Sequence, residues 1–587
     1  MLSLDPPLLG TATSVSSQVG TNVNNPGPLL FDLLALPVTL FPGRAGIAVG
    51  VALLNCAAII GLTIVAHRQG GAPLAVAAAG TAALLSFTMG SELLIQPWQP
   101  HSLLLPFLLY LILVWGISAG DGALLPWAAG VGSLLLQTHL SYVLLVVALG
   151  GWALVTVVLR ARRARHGRGA HCVSLRTCVA ALLVLVACWT QPVAEELVEE
   201  DGNLERLAGI SGGPLDTLGP GDAVRVLADV VVTPPWTSLR TLSLRDAHST
   251  GTALVSLFVL AAVLCGCALR ARRRGDALAS QGVGAASVTL ATGLFTLWRT
   301  PPSALFKPFG LATHHVLWLW PITAFVLLVL LRAVVGKHLD EHRLVVALAA
   351  LTVALAAVNL PTRDRGASQP DWAFPVQRDL DSELGALVGC GPLLLDAPTY
   401  GIHFDTAIMA ELQRRDIEFV VEDPVLVRQL GASRAFDGDN ASAVLHVRIG
   451  DGVEDPPDGS RPVARRDGLD PRQRRLRDQL ADRIRTYAQE RGQFPLSDNG
   501  KVAVEAGMGA GALPAADTLA PAELFPADEV GDMVRVMLDF TVLDDHWQDE
   551  LRRFAELDER WQRETVGLSL SHHPAGEPPD GGCAPLR

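Results

Sequence analysis

The sequence predicts a polytopic α-helical membrane protein of about ten transmembrane helices, followed by an extracytoplasmic α/β domain at the carboxyl end. Of its 587 residues, 50% are hydrophobic and 18% are charged, and the apolar residues gather in long uninterrupted runs. The charges concentrate in the last third and in a few short clusters. This distribution excludes collagen, coiled-coil and disordered chains. The net charge of −12 argues against a nucleic-acid partner, because phosphate binding requires a basic surface.

The transmembrane domain is predicted to cover residues 45–361. A hydrocarbon core about 30 Å thick requires about 17 to 25 apolar residues in a helix. Segments that approach this requirement are 45–66, 73–94, 103–117, 123–136, 140–159, 178–193, 252–269, 283–297, 316–335 and 344–360. The segments that end at Ile117 and Leu136 are the shortest and fit the requirement least well.

The orientation follows from basic clusters in the short loops, because Lys and Arg near the ends of spans remain in the cytoplasm. With the predicted spans, four clusters fall on one side, at 67–68, 160–165, 270–274 and 337–343. The outer side receives 1–44, the loop around Trp98, the long loop 194–251, the loop 299–315 and everything after Pro361. The expected location is therefore the cytoplasmic membrane, with a lipid bilayer as a partner and the C-terminal domain outside.

Residues 1–44 are predicted to form an extracytoplasmic loop. The start of the chain has neither a basic region nor a cleavage pattern, so it does not match a signal peptide. Residues 29–41 are apolar, but the segment is too short to span a bilayer and contains Pro37. An interfacial helix is the better prediction for this segment.

Residues 362–587 are predicted to form the soluble domain. Short apolar runs at 392–396, 418–421 and 444–447 alternate with helical patterns at 406–414 and 424–430, which favours a small parallel α/β layer. Two amphipathic helices are expected to follow, one capped by Asp470 and ending near Gly492, the other over 545–565. The polar stretches 449–469 and 499–521 are predicted to be loops.

Two cysteines, Cys390 and Cys583, fall on the predicted outer side. An oxidising exterior permits a disulfide between them, and two free thiols are an equally good interpretation. The remaining cysteines lie in predicted membrane or cytoplasmic segments, and none has zinc-ligand spacing with nearby His. No metal site is therefore expected, and a cofactor cannot be assigned.

Candidate functional residues are the polar groups at the outer ends of the spans, since such groups are costly unless they are used or paired. They form four groups: Asn22, Asn24 and Asn25; Glu92, Gln96, Trp98, Gln99 and His101; Gln137 and His139; and Arg299, Lys307, His314 and His315.

Each group also has a purely structural interpretation. Trp98 can anchor the chain at the interface, and His139 can hydrogen-bond across helices. Arg299 and Lys307 can contact lipid phosphates. Adjacent residues such as His314 and His315 are not expected to face one site from a helix, which argues against a metal pair.

The combination of amides, imidazoles, carboxylates and cations suits an enzyme that takes a phosphate-linked group from a lipid carrier. Such a reaction needs a general base for the acceptor hydroxyl and positive charge for the departing phosphate. The chain contains no P-loop, nucleophile-elbow or H-E-x-x-H motif, which disfavours ATP-driven pumping, α/β-hydrolase chemistry and zinc proteolysis.

Several of these segments resemble the actinobacterial members of the GT-C superfamily of polytopic glycosyltransferases, over residues 6–430. The motifs are Pro7-Leu8-Leu9-Gly10, Asn24-Asn25-Pro26-Gly27-Pro28-Leu29-Leu30-Phe31, Pro97-Trp98-Gln99-Pro100-His101 with Leu105-Pro106-Phe107, Gln137-Thr138-His139-Leu140-Ser141-Tyr142 and Gly202-Asn203-Leu204. The resemblance implies a polyprenyl-phosphate-linked sugar as donor, an inverting transfer outside the membrane to a cell-envelope glycan or lipid, and an outer soluble domain.

The resemblance also implies an acidic motif just after a first transmembrane helix. Met1 is expected to fall inside the loop that follows that helix, so the helix and the motif are expected upstream of this chain. Asp5 and Glu92 are the acidic residues nearest to the expected position and are the candidates for the catalytic base. Because the motif is expected upstream, this interpretation allows the chain as written to be inactive as an enzyme.

Two other functional classes remain open. A transporter or flippase for a lipid-linked intermediate predicts charged or broken helices in mid-membrane and an internal repeat, and neither is clear in this sequence. A non-catalytic envelope assembly protein would bind polymers through its outer domain.

Overall fold

The computed structural model describes residues 8–13, 22–41, 44–165, 173–199, 201–211, 217–232, 244, 247–302, 309–336, 342–360, 372–397, 405–498, 500–501, 518–525 and 529–572. The chain divides into two compact units. The first, which we call the helical unit, comprises Met1–Gln369 with Arg428–Gly431. The second, which we call the sheet unit, comprises Pro370–Val427 and Ala432–Arg587.

The described part of the helical unit consists of α-helices joined by loops and short 3-10 turns. Its helices are α1 (Leu29–Leu40), α2 (Arg44–Met89), α3 (Gln99–Ser102), α4 (Leu104–Ala119), α5 (Leu125–Thr138), α6 (Val143–Arg165), α7 (Leu175–Val198), α8 (Asn203–Ser211), α9 (Gly219–Val231), α10 (Thr250–Arg273), α11 (Ala277–Arg299), α12 (Leu319–Val335) and α13 (His342–Val358).

Among the described residues, six helical segments are long and apolar enough to cross a membrane, judged by length and composition. They are Ala45–Met89, Gln99–Ala119, Leu140–Arg163, Leu175–Val198, Thr250–Arg273 and Ala277–Arg299. Three shorter apolar helices are α1, α12 and α13. Several potential membrane spans are therefore present, and the total of about ten stays a prediction.

Helices occupy every predicted span, but two boundaries differ. The first two predicted spans lie in α2, where Gly70 and Gly71 break the helical geometry and Gly71 adopts a φ of +67°. That conformation favours glycine, and it separates the two halves of α2. The second difference is in α7, whose C-terminus extends to Val198, beyond the predicted limit at residue 193. The carboxylate of Glu195 accepts the backbone N–H of Asn203, which satisfies a polar group just past the apolar run.

Two of the four predicted basic turns contact the same end of α4. Arg68 forms an ion pair of 2.8 Å with Asp121, just after α4. Arg160, near the end of α6, donates to the carbonyl oxygen of Ser118 in α4 at 2.7 Å. These contacts place the 68 and 160 turns beside the same end of α4. At the start of α11, Arg332 pairs with Asp276 at 2.8 Å.

Helix α4 lies at the centre of the hydrophobic core of the helical unit, and its residues are buried along almost the whole length. Its two large polar aromatic side chains are satisfied by backbone oxygens. The Tyr110 hydroxyl donates to the carbonyl of Val146 at 2.9 Å, and the Trp115 indole donates to that of Leu278 at 2.9 Å. These bonds connect α4 to α6 and α11, and they remove the cost of burying the hydroxyl and the indole N–H.

The sheet unit contains a five-stranded mixed sheet, so the prediction of a parallel layer was only partly right. Its strands are β1 (Leu393–Asp396), β2 (Phe419–Val420), β3 (Ala443–Ile449), β4 (Arg461–Arg466) and β7 (Val566–His572), in the order β2-β1-β3-β7-β4. β1 is parallel to β2 and β3, whereas β7 is antiparallel to β3 and β4. A separate pair is formed by β5 (Phe494–Pro495) and β6 (Thr518–Leu519).

β4 lies inside 449–469, where the sequence predicted a loop. Its residues are Arg-Pro-Val-Ala-Arg-Arg, which lack the apolar alternation of a half-buried strand. β4 is the edge strand of the sheet, and edge strands commonly carry proline and charges. Edge position therefore explains why its composition resembles that of a loop.

The helices after residue 370 match the four predicted helical patterns and add three more. They are α14 (Ala373–Glu383), α15 (Asp405–Arg414), α16 (Pro424–Leu430), α17 (Pro471–Arg491), α18 (Pro521–Leu524), α19 (Val530–Phe540) and α20 (Asp545–Glu564), together with a 3-10 turn at Leu384–Leu387. Asp470 caps α17 in a capping box with Gln473, as the Asp-Pro start predicted. α17, α19 and α20 share a second apolar core around Phe554.

Cys390 is disulfide-bonded, whereas Cys583 lies outside the described residues. The free thiols in the described part of the chain are Cys56, Cys178, Cys188, Cys265 and Cys267, all in the helical unit.

Leu445 is fully buried in β3. We expect Leu445→Ala to lower the free energy of unfolding by about 2–5 kcal/mol, because the substitution removes buried methyl groups and leaves a cavity. The exposed Val542→Ala should change it by less than about 0.5 kcal/mol. Pulse proteolysis of the full-length protein in urea, scored on fragments after residue 370, measures both. Equal midpoints for the two variants would show that Leu445 is not in a packed core.

Candidate functional site

A cavity of about 330 Å3 opens in the helical unit between the ends of several helices. Its walls come from the segments before α1, from α3, from the turn after α5, from the end of α11 and from the 3-10 turn Thr313–His315. The lining residues are Ala12, Thr13, Asn25, Trp98, Gln99, Pro100, His139, Leu140, Ser141, Leu144, Thr296, Arg299, Thr300, Pro301, His314 and His315. Seven of the candidate residues therefore line one cavity: Asn25, Trp98, Gln99, His139, Arg299, His314 and His315.

The wall before α1 is a short antiparallel loop pair held by backbone hydrogen bonds. Gly10 and Asn25 bond at 3.0 Å, Asn25 and Thr11 at 2.8 Å, and Thr13 and Val23 at 3.1 Å. The Asn25 side chain donates to the carbonyl and hydroxyl oxygens of Thr11 and accepts the backbone N–H of Leu140 at 3.2 Å. The Gln99 side chain also hydrogen-bonds the Thr11 hydroxyl. These amides fix the wall, and Asn25 uses its polar atoms in doing so.

His139 lies between α5 and α6 with an extended backbone. Its Nδ1 accepts the backbone N–H of Ser141 at 3.3 Å. In the neutral ring the proton must then sit on Nε2, because a nitrogen that accepts a hydrogen bond carries no hydrogen. The backbone thus selects the tautomer in which His139 is a hydrogen-bond donor at Nε2.

Trp98 stands between two imidazoles. Its ring centroid is 5.1 Å from that of His101 and 4.9 Å from that of His314. The rings of His314 and His315 lie 4.3 Å apart in a T-shaped arrangement. Both of these adjacent histidines line the cavity. They occupy a 3-10 turn, so the expectation that they could not face one site from an α-helix does not apply to them.

Arg299 is the last residue of α11 and supplies the positive charge of the cavity. Its position at a helix C-terminus is favourable for a cation. In the part of the chain that the structure describes, Arg299 has no carboxylate partner, and no Asp or Glu lines the cavity. Among the described residues, the charge of Arg299 is therefore not compensated within the cavity wall.

The imidazoles of the 3-10 turn are held neutral. Burial lowers the pKa of His314 to about 4, with further lowering from the neighbouring rings of His315 and His101. Burial also lowers the pKa of His315. At neutral pH both rings are therefore uncharged and can accept a proton.

Three predicted site residues lie outside the cavity lining. Asn24 is fully buried, donates to the carbonyl of Gly10 and exchanges two hydrogen bonds with Asn203. Gln137 is also fully buried and donates to the carbonyl of Cys188 in α7 at 2.6 Å. His101 is buried beneath Trp98, and neither ring nitrogen has a hydrogen-bond partner among the described residues. Asn24 and Gln137 therefore connect structural elements rather than face the cavity.

The predicted carboxylates are not part of the cavity wall that the structure describes. Glu92 lies in the 3-10 turn Ser91–Leu94 and does not line the cavity. Asp5 and Lys307 lie outside the described residues. The assignment of Asp5 or Glu92 as the base stays a prediction.

Sequence reasoning did not select four hydroxyl residues of the lining, Thr13, Ser141, Thr296 and Thr300. Thr296 and Thr300 donate to carbonyls one helical turn earlier, at 2.9 and 2.8 Å. The spacing of Thr296 from Arg299 was the available signal, because residues three or four apart share a helix face. Such threonines are common in apolar helices, so the signal was weak.

The cavity can bind an anion and transfer a proton. Arg299 and the Nε2–H of His139 are donors, and the neutral rings of His314 and His315 are proton acceptors. Trp98 adds a flat apolar wall. In the described residues no cluster of three or more His, Cys, Asp or Glu side chains could hold a metal ion.

Comparison of the chain with protein-family models, with curated proteins and with solved structures found no match.

The low pKa of His314 predicts acid sensitivity. The unfolded imidazole has a pKa of about 6.5, so the unfolded state binds more protons than the folded state between about pH 6.5 and pH 4. Stability should therefore fall as the pH drops through this window. We expect the thermal midpoint of the detergent-solubilised protein to fall less in His314→Asn than in the wild type between pH 7.5 and pH 5.

The matched control is His342→Asn, which changes an exposed imidazole at the start of α13. It should follow the wild-type pH dependence. If His314→Asn and His342→Asn lose stability equally on acidification, the imidazole of His314 is not kept neutral by its surroundings.

Proposed function

We propose that this chain is a membrane glycosyltransferase of the GT-C type, which transfers a sugar from a polyprenyl-phosphate donor to a cell-envelope acceptor outside the membrane. The observation that carries the proposal is the convergence of Arg299, three imidazoles and Trp98 on one cavity at the ends of apolar helices. This donor set fits a phosphate joined to a sugar better than it fits an apolar or cationic ligand.

The departing phosphate is the natural partner of Arg299. When the bond from the anomeric carbon to the phosphate oxygen breaks, negative charge grows on that oxygen. A guanidinium without a competing carboxylate stabilises this charge, and the Nε2–H of His139 can donate a hydrogen bond to it. The lipid tail of the donor remains in the bilayer, which restricts the phosphate to the depth of the helix ends.

The acceptor hydroxyl must lose its proton as its oxygen attacks the anomeric carbon. In the described lining the proton acceptors with suitable chemistry are the imidazoles of His314 and His315, which are uncharged at neutral pH. We assign the base to this pair, with Asp5 and Glu92 as the carboxylate alternatives. The transfer needs no oxidant, and the proton of the acceptor ends on the base.

Two features support an outer position for the cavity. Helix α3, which lines the cavity, leads into the start of α4, and Arg160 contacts the other end of α4. Arg299 ends α11, whose start follows the predicted basic turn 270–274. Basic turns are retained in the cytoplasm, so the cavity belongs to the outer side under that rule. Separately, a disulfide at Cys390 fits an oxidising compartment for the sheet unit.

Arg299→Gln should reduce sugar transfer by about 10- to 100-fold, because it removes the charge that stabilises the departing phosphate. The measurement is transfer in membranes that contain the protein, with a panel of radiolabelled polyprenyl-phosphate hexoses and pentoses. Arg343→Gln removes the same charge from an exposed position at the start of α13 and should leave transfer unchanged.

Other outcomes identify the alternatives. Equal sugar transfer by Arg299→Gln and Arg343→Gln would show that the cavity takes no part in the reaction. No transfer with any donor, together with donor movement across liposome bilayers, would make the protein a transporter or flippase. Retained function in cells after joint replacement of Glu92, His101, His139 and Arg299 would favour a non-catalytic assembly protein.

The sidedness has its own test. Asp439 is exposed in the sheet unit, and Arg162 is exposed near the end of α6. In a background without native thiols other than Cys390 and Cys583, we expect an impermeant maleimide to label Asp439→Cys in intact cells. Arg162→Cys should be labelled only after permeabilisation. The opposite pattern would place the cavity in the cytoplasm and contradict the proposal.

A further inference from the structure

A second set of reactive side chains lies in the sheet unit, on three neighbouring strands. His446 in β3 contacts Asp396 through Nδ1 at 2.6 Å and the Ser571 hydroxyl through Nε2 at 2.8 Å. Asp396 ends β1, and Ser571 lies near the end of β7. None of these residues contributes to the cavity of the helical unit.

We propose that Ser571, His446 and Asp396 form a nucleophilic hydrolase site that cleaves carboxylic esters with a short acyl group. The order of contacts is that of a serine nucleophile, an imidazole base and a carboxylate that orients the base. The recurrence of this order on unrelated folds means that geometry rather than sequence position identifies it.

The sheet register fixes the arrangement. Asp396 is directly opposite His446 in the parallel β1–β3 pair, so their side chains project from the same face. In the antiparallel β3–β7 pair, Ser571 is opposite Val444, two residues before His446 and therefore on that face as well. The three side chains thus line up across adjacent strands of a rigid sheet.

The hydrogen bonds determine the proton positions. Asp396 accepts two bonds, from His446 and from the guanidinium of Arg448 at 2.6 Å. Burial alone would raise the pKa of Asp396, but hydrogen bonds from Arg448 and His446 outweigh it and keep the pKa below its ordinary value. The carboxylate is therefore ionised, Nδ1 of His446 carries the proton, and Nε2 is free to accept from Ser571.

The site is reachable on the Ser571 side. His446 is buried, whereas Ser571 and the Asp396 side chain are partly exposed. The pairing of β7 with β4 ends at Leu570 opposite Arg461, so Ser571 lies beyond that ladder. Val444 provides an apolar neighbour directly across from Ser571, which favours a short acyl group beside the nucleophile.

The chemistry balances without a cofactor. The Ser571 oxygen attacks the ester carbonyl and gives its proton to Nε2 of His446. His446 then protonates the departing alcohol, which leaves an acyl-serine ester. Water, deprotonated by His446, releases the carboxylic acid and restores Ser571. Arg448 neutralises part of the negative charge of Asp396. We therefore expect activated esters to be the most suitable substrates for testing the site.

The experiment uses full-length protein in detergent, a fluorophosphonate probe and p-nitrophenyl acetate. We expect the probe to modify Ser571, as located by mass spectrometry, and ester hydrolysis to fall to background in Ser571→Ala and His446→Gln. Asp396→Asn should slow labelling by about 100-fold or more. Thermal unfolding of each variant shows whether the sheet unit remains folded.

The matched control is Ser569→Ala. Ser569 lies on the same strand, directly opposite His446, but the hydroxyl bonded to Nε2 is that of Ser571. Its substitution should leave labelling and hydrolysis near wild-type rates. No adduct on Ser571, or equal labelling in folded His446→Gln and wild type, would reduce the three residues to a structural network and overturn the proposal.

Discussion

The requirement that every backbone polar group be satisfied inside lipid governs the helical unit. Helices meet this requirement within themselves, so their sides can remain apolar and their polar chemistry is confined to their ends. The described structure follows this rule at both ends of α4. One end meets Arg160 and lies beside the Arg68–Asp121 pair, and the other follows α3, which borders the cavity. The same helix therefore separates a basic face from a cavity whose described lining contains imidazoles and Arg299.

Rigidity of the cavity comes from backbone hydrogen bonds rather than from the reactive groups themselves. The loop pair before α1 is fixed by bonds between Thr11, Asn25 and Leu140. The backbone of Ser141 selects the tautomer of His139. Because these contacts are made within the protein, the donor groups of the cavity need not reorganise when a ligand binds, and preorganised donors are the most effective ones.

The sequence predicted the helices better than it predicted their roles. Apolar runs located α4, α6, α10 and α11, because a run of that length has few other folds in lipid. Strand β4 was missed because an edge strand carries the charges of a loop. Asn24 and Asn25 show why the sequence could not predict the whole site, since the two residues are adjacent and chemically identical. Asn24 is buried against Asn203, whereas Asn25 borders the cavity, and only tertiary contacts separate the two.

The charge of the cavity constrains what it can hold. A carboxylate in the lining would pair with Arg299. Any anion that binds there would then have to displace that carboxylate from the ion pair. In the described lining, neutral imidazoles take the place of such a carboxylate, so Arg299 remains available and the proton acceptors do not oppose an incoming phosphate. In the proposed transfer, a base that is neutral before the reaction becomes cationic as it takes the acceptor proton. That second positive charge would form beside the phosphate as the phosphate gains negative charge, and each would stabilise the other. A carboxylate base would instead lose its charge at that moment, so imidazoles suit a phosphate leaving group in this cavity better than Asp or Glu would.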